Sequence, residues 1–208
     1  MSYRSYRGDS IAPVLAIIIL CFVVYIAAIL PRFLDSLNYD LVHLFGLQPA
    51  TFIQAPWTIV TNLFVHVDIW HLIFNMLTLY FFGTFLLRLV GARTFLIIYF
   101  LGGIVGNIFF MLFAFAGFLT SPFSTVIGAS GAIFALGGTL AVLTPRLRVY
   151  AFPVPAPMPI WVAVIGGFII LTILAMFARI AWQGHLGGLV LGLIAGFILR
   201  RTVRTPFS

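Results

Sequence analysis

Residues 184–199 read GHLGGLVLGLIAGFIL, an apolar run whose only polar side chain is His185 and in which Gly184, Gly188, Gly192 and Gly196 recur every four positions. That spacing puts the four glycines on one face of a helix, where the missing side chains let a second helix approach backbone to backbone. The run carries no charge and comes near the roughly 20 residues that cross a hydrocarbon layer about 30 Å thick. An imidazole at its start is expensive in lipid unless it is paired or used. The stretch reads as a membrane-spanning helix, closely packed against a neighbour, with one ionisable group near one end.

The rest of the chain agrees with this reading. Of its 208 residues 63% are hydrophobic and 7% charged, with a mean hydropathy of +1.21, a composition that no soluble globular domain keeps in water. Five further apolar runs cover about Ile11 to Leu30, His71 to Leu87, Phe95 to Phe118, Gly128 to Thr144 and Ile160 to Ala178. Pro145 and the Pro-rich stretch Pro153 to Pro159 divide the fourth from the fifth. Strand-like alternation is absent, which disfavours a β-barrel. The expected fold is an all-α membrane protein: a single domain over residues 1–208, built as a bundle of six transmembrane helices.

All 11 basic residues are Arg, and the acids are Asp9, Asp35, Asp40 and Asp68, with neither Lys nor Glu in the chain. A metal site made of His and Glu is thereby excluded. The net charge of +7 does not point to nucleic acid, because the arginines stand singly or in pairs between apolar runs and form no basic stripe. Assigning the connections alternately to the two sides of the membrane puts nine arginines on one side and only Arg32 and Arg179 on the other. By the positive-inside rule both termini are cytoplasmic, with a tail over residues 1–10 and another over 200–208. The expected location is a multi-pass position in a prokaryotic cell membrane. Arg4 and Arg7 precede the first run as in a signal peptide, but the run exceeds the usual apolar core of about 7–15 residues. It reads as an uncleaved span. Cys21 is the only cysteine, so no intramolecular disulfide forms. Residues 31–70 make a long connection that mixes Asp35 and Asp40 with Leu34, Leu37, Leu41, Leu44, Phe45, Phe52, Ile53 and Trp57, as expected of an interfacial first loop.

Few hydrogen-bonding side chains lie inside the apolar runs, and three groups of them open helices on the same, outer side. The second helix starts with His71 and Asn75 on one face, the fourth with Gly128-Ala129-Ser130-Gly131, and the sixth with Gly184-His185. Taking the first inner-side arginine of each helix as a marker and about 1.5 Å per residue, His71, Ser130 and His185 lie roughly 25, 24 and 22 Å from it. A hydroxyl, two imidazoles and an amide thus share one buried plane. Hydroxyl and imidazole together suggest a nucleophile with its general base. No acid follows Asp68, so the expectation is a Ser-His dyad without a carboxylate. His71, Asn75 and the backbone N–H of Ser130 at its helix start are candidate donors to an oxyanion. On the fourth helix Ser130, Phe134 and Gly137/Gly138 are expected to face the sixth. His66, five residues before His71, falls about 140° away on a helical wheel, which argues against a shared metal site.

These residues resemble the rhomboid intramembrane serine proteases, and the resemblance covers all six runs. Gly128-Ala129-Ser130-Gly131 is similar to the family's GxSG nucleophile motif; His66, His71 and Asn75 to its paired-histidine and Asn pattern; His185-x-x-Gly188-x-x-x-Gly192 to its catalytic-histidine helix. The resemblance implies Ser130 as nucleophile, His185 as base, His71 and Asn75 as oxyanion residues, and His66 as an organiser of the outer end of the second helix. It also implies cofactor-free cleavage of transmembrane or near-membrane segments of other membrane proteins, which reach the site between the second and fifth helices. The partners are then protein substrates in a lipid bilayer. Two positions depart from the family pattern: Thr58 follows Trp57 where Arg is usual, and Phe134 stands where Tyr is frequent.

Two other functions fit a polar cluster in a membrane. A rhomboid-like pseudoprotease that binds or chaperones membrane clients typically lacks Ser or His, and both are present. A proton relay through His71 and His185 favours buried carboxylates, which this chain does not have.

Overall fold

The computed structural model describes residues 10–30, 40–150, 154–175 and 181–203. The expectations for Arg4, Arg7, Arg32, Asp35, Arg179 and Arg204, for most of both tails and for residues 31–39 of the first loop lie outside the described residues. Helix α1 spans Ala12–Ile29, two short helices α2 (Leu41–Phe45) and α3 (Thr58–Thr61) lie in the first loop, and α4 and α5 follow over Ile69–Val90 and Ala92–Phe115. Then come α6 (Ser130–Leu143), α7 (Ile160–Ala175) and α8 (Trp182–Leu199). Four of these, α1, α4, α5 and α8, are long and apolar enough to cross a membrane. Helices α6 and α7 are apolar and shorter, at 14 and 16 residues. The chain is an integral membrane protein.

Local chemistry sets the boundaries. Pro13 occupies the first turn of α1, where its missing N–H removes no bond. The Asp40 carboxylate accepts from the N–H groups of Val42 and His43 to start α2. The Asp68 carboxylate accepts from the His71 N–H at 2.8 Å and starts α4, satisfying a first-turn donor and complementing the helix dipole. Gly91, at φ 84°, ends α4 and passes the chain directly into α5, a left-handed conformation that side chains resist. Helix α5 ends at Phe115, so Phe118 is not helical, and Gly128 and Ala129 precede α6.

One element departs from the all-α expectation. Within the α6–α7 connection, Arg148–Val149 pairs antiparallel with Met158–Pro159 over two residues each. Strands this short carry no readable alternation.

Helix α8 lies between α5 and α6, and small residues set its register. A Cβ on Gly188 would overlap the Gly131 carbonyl oxygen, one on Gly192 the Ala135 carbonyl oxygen, and one on Gly196 would come within 3.0 Å of the Thr139 carbonyl oxygen. Gly131, Ala135 and Thr139 therefore form the face of α6 that meets α8, with Gly138 beside them, where a Cβ would come within 3.0 Å of Leu189 O. The expectation that Gly137 faces α8 is corrected: it packs toward Phe82 of α4 and Val164 of α7. Helix α6 is small-sided on several faces, so spacing alone does not choose among them. Thr139 Oγ1 donates within its own helix to Ala135 O (2.8 Å) and across to Gly192 O (3.0 Å). On the other side, a Cβ on Gly106 would lie 2.6 Å from Gly184 O. The four-residue glycine period of α8 thus becomes a fixed height of its first turn beside the first turn of α6.

Candidate active site

Ser130 is the first residue of α6, and His185 lies in the first turn of α8. With Gly188 set against Gly131, the two side chains meet: His185 Nε2 and Ser130 Oγ are 2.8 Å apart, within hydrogen-bond reach for a nucleophile and its base. His185 is buried, and its Nδ1 has no hydrogen-bond partner. For Nε2 to accept the hydroxyl proton the ring proton must sit on Nδ1. The Phe134 ring lies over the imidazole at 4.9 Å between centroids and 31° between planes, and Phe168 of α7 packs edge-on against Phe134 at 6.0 Å.

Gly128 faces the other side of the site. Its φ of 108° places it where a side chain is strained, and a Cβ there would meet Cε1 and Nε2 of His71 at 2.8 Å. The His71 imidazole therefore rests on the Gly128 backbone, two residues before Ser130. Asn75 is buried, and its Nδ2 donates to the His71 carbonyl at 2.7 Å. The Ser130 N–H belongs to the first turn of α6, whose N–H groups have no intrahelical acceptor. A cavity of about 10 Å³ opens beside the pair, with Ser130, His185, Gly128 and Asn107 in its wall.

His66 does not follow the helical-wheel expectation. It precedes α4, because Asp68 caps that helix after it, so an angle counted back from His71 does not apply. The chain turns, and the rings of His66 and His71 meet edge to face at 5.0 Å. His66 is buried with neither ring nitrogen hydrogen-bonded. Burial foremost, and then the neighbouring His71, push its pKa down to about 4. Among the described residues no group of three or more His, Cys, Asp or Glu side chains is placed to hold a metal ion.

The first loop is fastened without an arginine after Trp57. The Trp57 indole N–H donates to Leu44 O (3.1 Å), Thr61 Oγ1 to Phe45 O (2.9 Å) and Thr58 Oγ1 to Ala55 O (2.6 Å). Leu47 and Val126 exchange backbone bonds with each other, tying this loop to the segment that precedes Ser130.

A pair of buried amides, Asn62 and Asn107, joins the site without having stood out in the sequence. Asn62 Nδ2 donates to Asn107 Oδ1, and Asn107 Nδ2 donates back to Asn62 Oδ1, both at 2.9 Å. The signal was an amide in the apolar run of α5, subject to the same cost argument that singled out Asn75.

The family model described as the Rhomboid domain matches residues 54–202. Rhomboid protein 1, mitochondrial, of Saccharomyces cerevisiae is 29% identical over 166 residues, covering 73% of this chain and 44% of the relative. RHOMBOID-like protein 12, mitochondrial, of Arabidopsis thaliana is 32% identical over 69% of this chain and 46% of its own length. Rhomboid protease GluP of Bacillus subtilis is 32% identical over 79% of this chain and 30% of its own length. The chain spans less than half the length of these relatives. The matched region contains the α6–α8 register, Ser130, His185, His71 and Asn75, and on that match the chain belongs to the rhomboid family.

Proposed function

We propose that the protein is an intramembrane serine endopeptidase that cleaves transmembrane or near-membrane segments of other membrane proteins with a Ser130–His185 dyad. The observation that carries this reading is the 2.8 Å contact between Ser130 Oγ and His185 Nε2 at the first turns of two helices locked together by glycine. His185 takes the hydroxyl proton as Ser130 Oγ attacks the scissile carbonyl, and returns it to the leaving amine. Water then releases the acyl group by the same route in reverse. The Phe134 ring holds the imidazole plane in place of a carboxylate. The developing oxyanion is held by the Ser130 N–H at the positive end of α6, by His71 and by the side chain of Asn75. Asn75 bonds its own helix in the resting state and must turn its amide toward the oxyanion to serve. No metal or cofactor takes part.

In this reading all six apolar helices cross the membrane, the first loop lies in the outer interface, both termini are cytoplasmic, and the membrane is that of a prokaryotic cell. Substrates reach the site between α4 and α7. A fluorophosphonate probe tests the chemistry: it should label Ser130 in the purified protein and fail with Ser130→Ala. Labelling at an unchanged rate in His185→Ala would overturn the role of His185 as base. Absence of labelling in the wild-type chain would favour a client-binding pseudoprotease.

A further inference from the structure

We propose that the buried Asn62–Asn107 pair is the positioning element of the oxyanion pocket: it fixes Gly128, and through Gly128 the spacing between His71 and Ser130. The inference rests on the serine-protease reading above and adds two residues to it.

An Asn side chain has two N–H donors and one carbonyl acceptor. Asn62 uses its donors on Asn107 Oδ1 at 2.9 Å and, more weakly, Val126 O at 3.5 Å. Asn107 uses its donors on Asn62 Oδ1 at 2.9 Å and Ile59 O at 2.8 Å. Both residues are buried, so each amide depends on the other for satisfaction. The pair joins three separate pieces of chain: α5, the turn after α3, and the extended stretch before α6. The Asn62 backbone carbonyl then accepts the Gly128 N–H at 2.9 Å.

The Leu47–Val126 backbone pair holds the chain two residues earlier, and the Asn62 carbonyl is the acceptor that takes the Gly128 N–H itself. The Gly128 φ of 108° is open to glycine alone, and the His71 ring occupies the space where a Cβ would stand. Two residues later comes Ser130, whose N–H and Oγ both take part in the proposed chemistry. A shift of Gly128 would therefore move the His71 ring and the Ser130 N–H relative to one another. The His185–Ser130 contact would survive, because the α6–α8 glycine register sets it independently. The pair thus acts on transition-state stabilisation and not on the dyad itself.

The test measures kcat and KM of the full-length protein on a transmembrane reporter substrate. Asn107→Leu should lower kcat about 10- to 100-fold, as expected for a sub-ångström to ångström misplacement, with KM changed less than about twofold. In an Asn75→Ala background the same substitution should cost much less, because both then act on one pocket. The double variant Asn62→Leu/Asn107→Leu leaves neither amide facing an apolar partner and should regain thermal stability lost in the single variant, while kcat stays low. Recovery of kcat together with stability in the double variant would overturn the proposal and leave the pair a structural clamp. So would full multiplicativity of Asn107→Leu with Asn75→Ala. Ser130→Ala measured alongside separates the two levels: activity surviving there removes the dyad reading, whereas wild-type kcat in Asn107→Leu with an inactive Ser130→Ala removes this inference alone.

Discussion

Gly188 of α8 faces the carbonyl oxygen of Gly131 in α6 with no room for a Cβ between them. The contact lies one residue beyond Ser130 and three beyond His185, so it sets the spacing of that pair. Gly188→Ala should push the helices apart, lower stability by about 1–3 kcal/mol as overpacking does, and reduce cleavage more than that loss alone explains. Gly166 and Gly167 of α7 have open space where a Cβ would go, and either one replaced by Ala should be tolerated or slightly stabilising. Thermal unfolding in detergent, run beside the cleavage assay, compares the two sets.

Phe134 supports the imidazole by ring contact, with Phe168 behind it. Phe134→Leu should lower kcat about tenfold with little change in KM, since the base loses orientation and the substrate surface is untouched. Phe134→Tyr should remain active, because the face presented to His185 is the same. Steady-state kinetics on both variants check this.

Asp68 starts α4 three residues before His71. Asp68→Ala removes that cap and should destabilise the protein by about 1 kcal/mol, and Asp68→Asn, which keeps an acceptor, should recover most of it. Unfolding midpoints of the two variants give the comparison.

His66 provides a pH dependence whose sign follows from its environment. Its pKa in the fold is lowered to about 4 from an ordinary 6.5, chiefly by burial and then by His71. Between these values the unfolded chain binds a proton that the folded chain refuses. Stability should therefore be unaffected by this group above about pH 6.5 and fall as pH drops toward 4, by at most about 1.4 kcal/mol per unit. His66→Leu should show a shallower loss over that range than the wild type, measured as unfolding midpoint against pH.

Much of this arrangement was legible in the sequence because membrane composition is sparse. Arginine markers put Ser130, His185 and His71 at one height, and the glycine period of residues 184–196 announced a tight helix pair. On α6, Ser130, Phe134 and Gly138 meet α8 as their spacing suggested, but Gly137 does not, and the contribution of Gly131, Ala135 and Thr139 was not legible because α6 carries small residues on several faces. The ring contact between His66 and His71 was not legible from a helical wheel, because α4 starts at the Asp68 cap and His66 lies before it. The Asn62–Asn107 pair joins residues 45 positions apart, and sequence shows each amide without showing its partner. The strand pair at Arg148 is too short to leave a pattern.

The central claim is that Ser130 and His185 together hydrolyse a peptide bond within the membrane. Its most direct measurement is cleavage of a single-span reporter protein by the purified chain in liposomes, with the product mapped by mass spectrometry. The wild type should cut within or next to the span, and Ser130→Ala and His185→Ala should each leave the reporter intact. Cleavage persisting in Ser130→Ala at the wild-type rate would contradict the account.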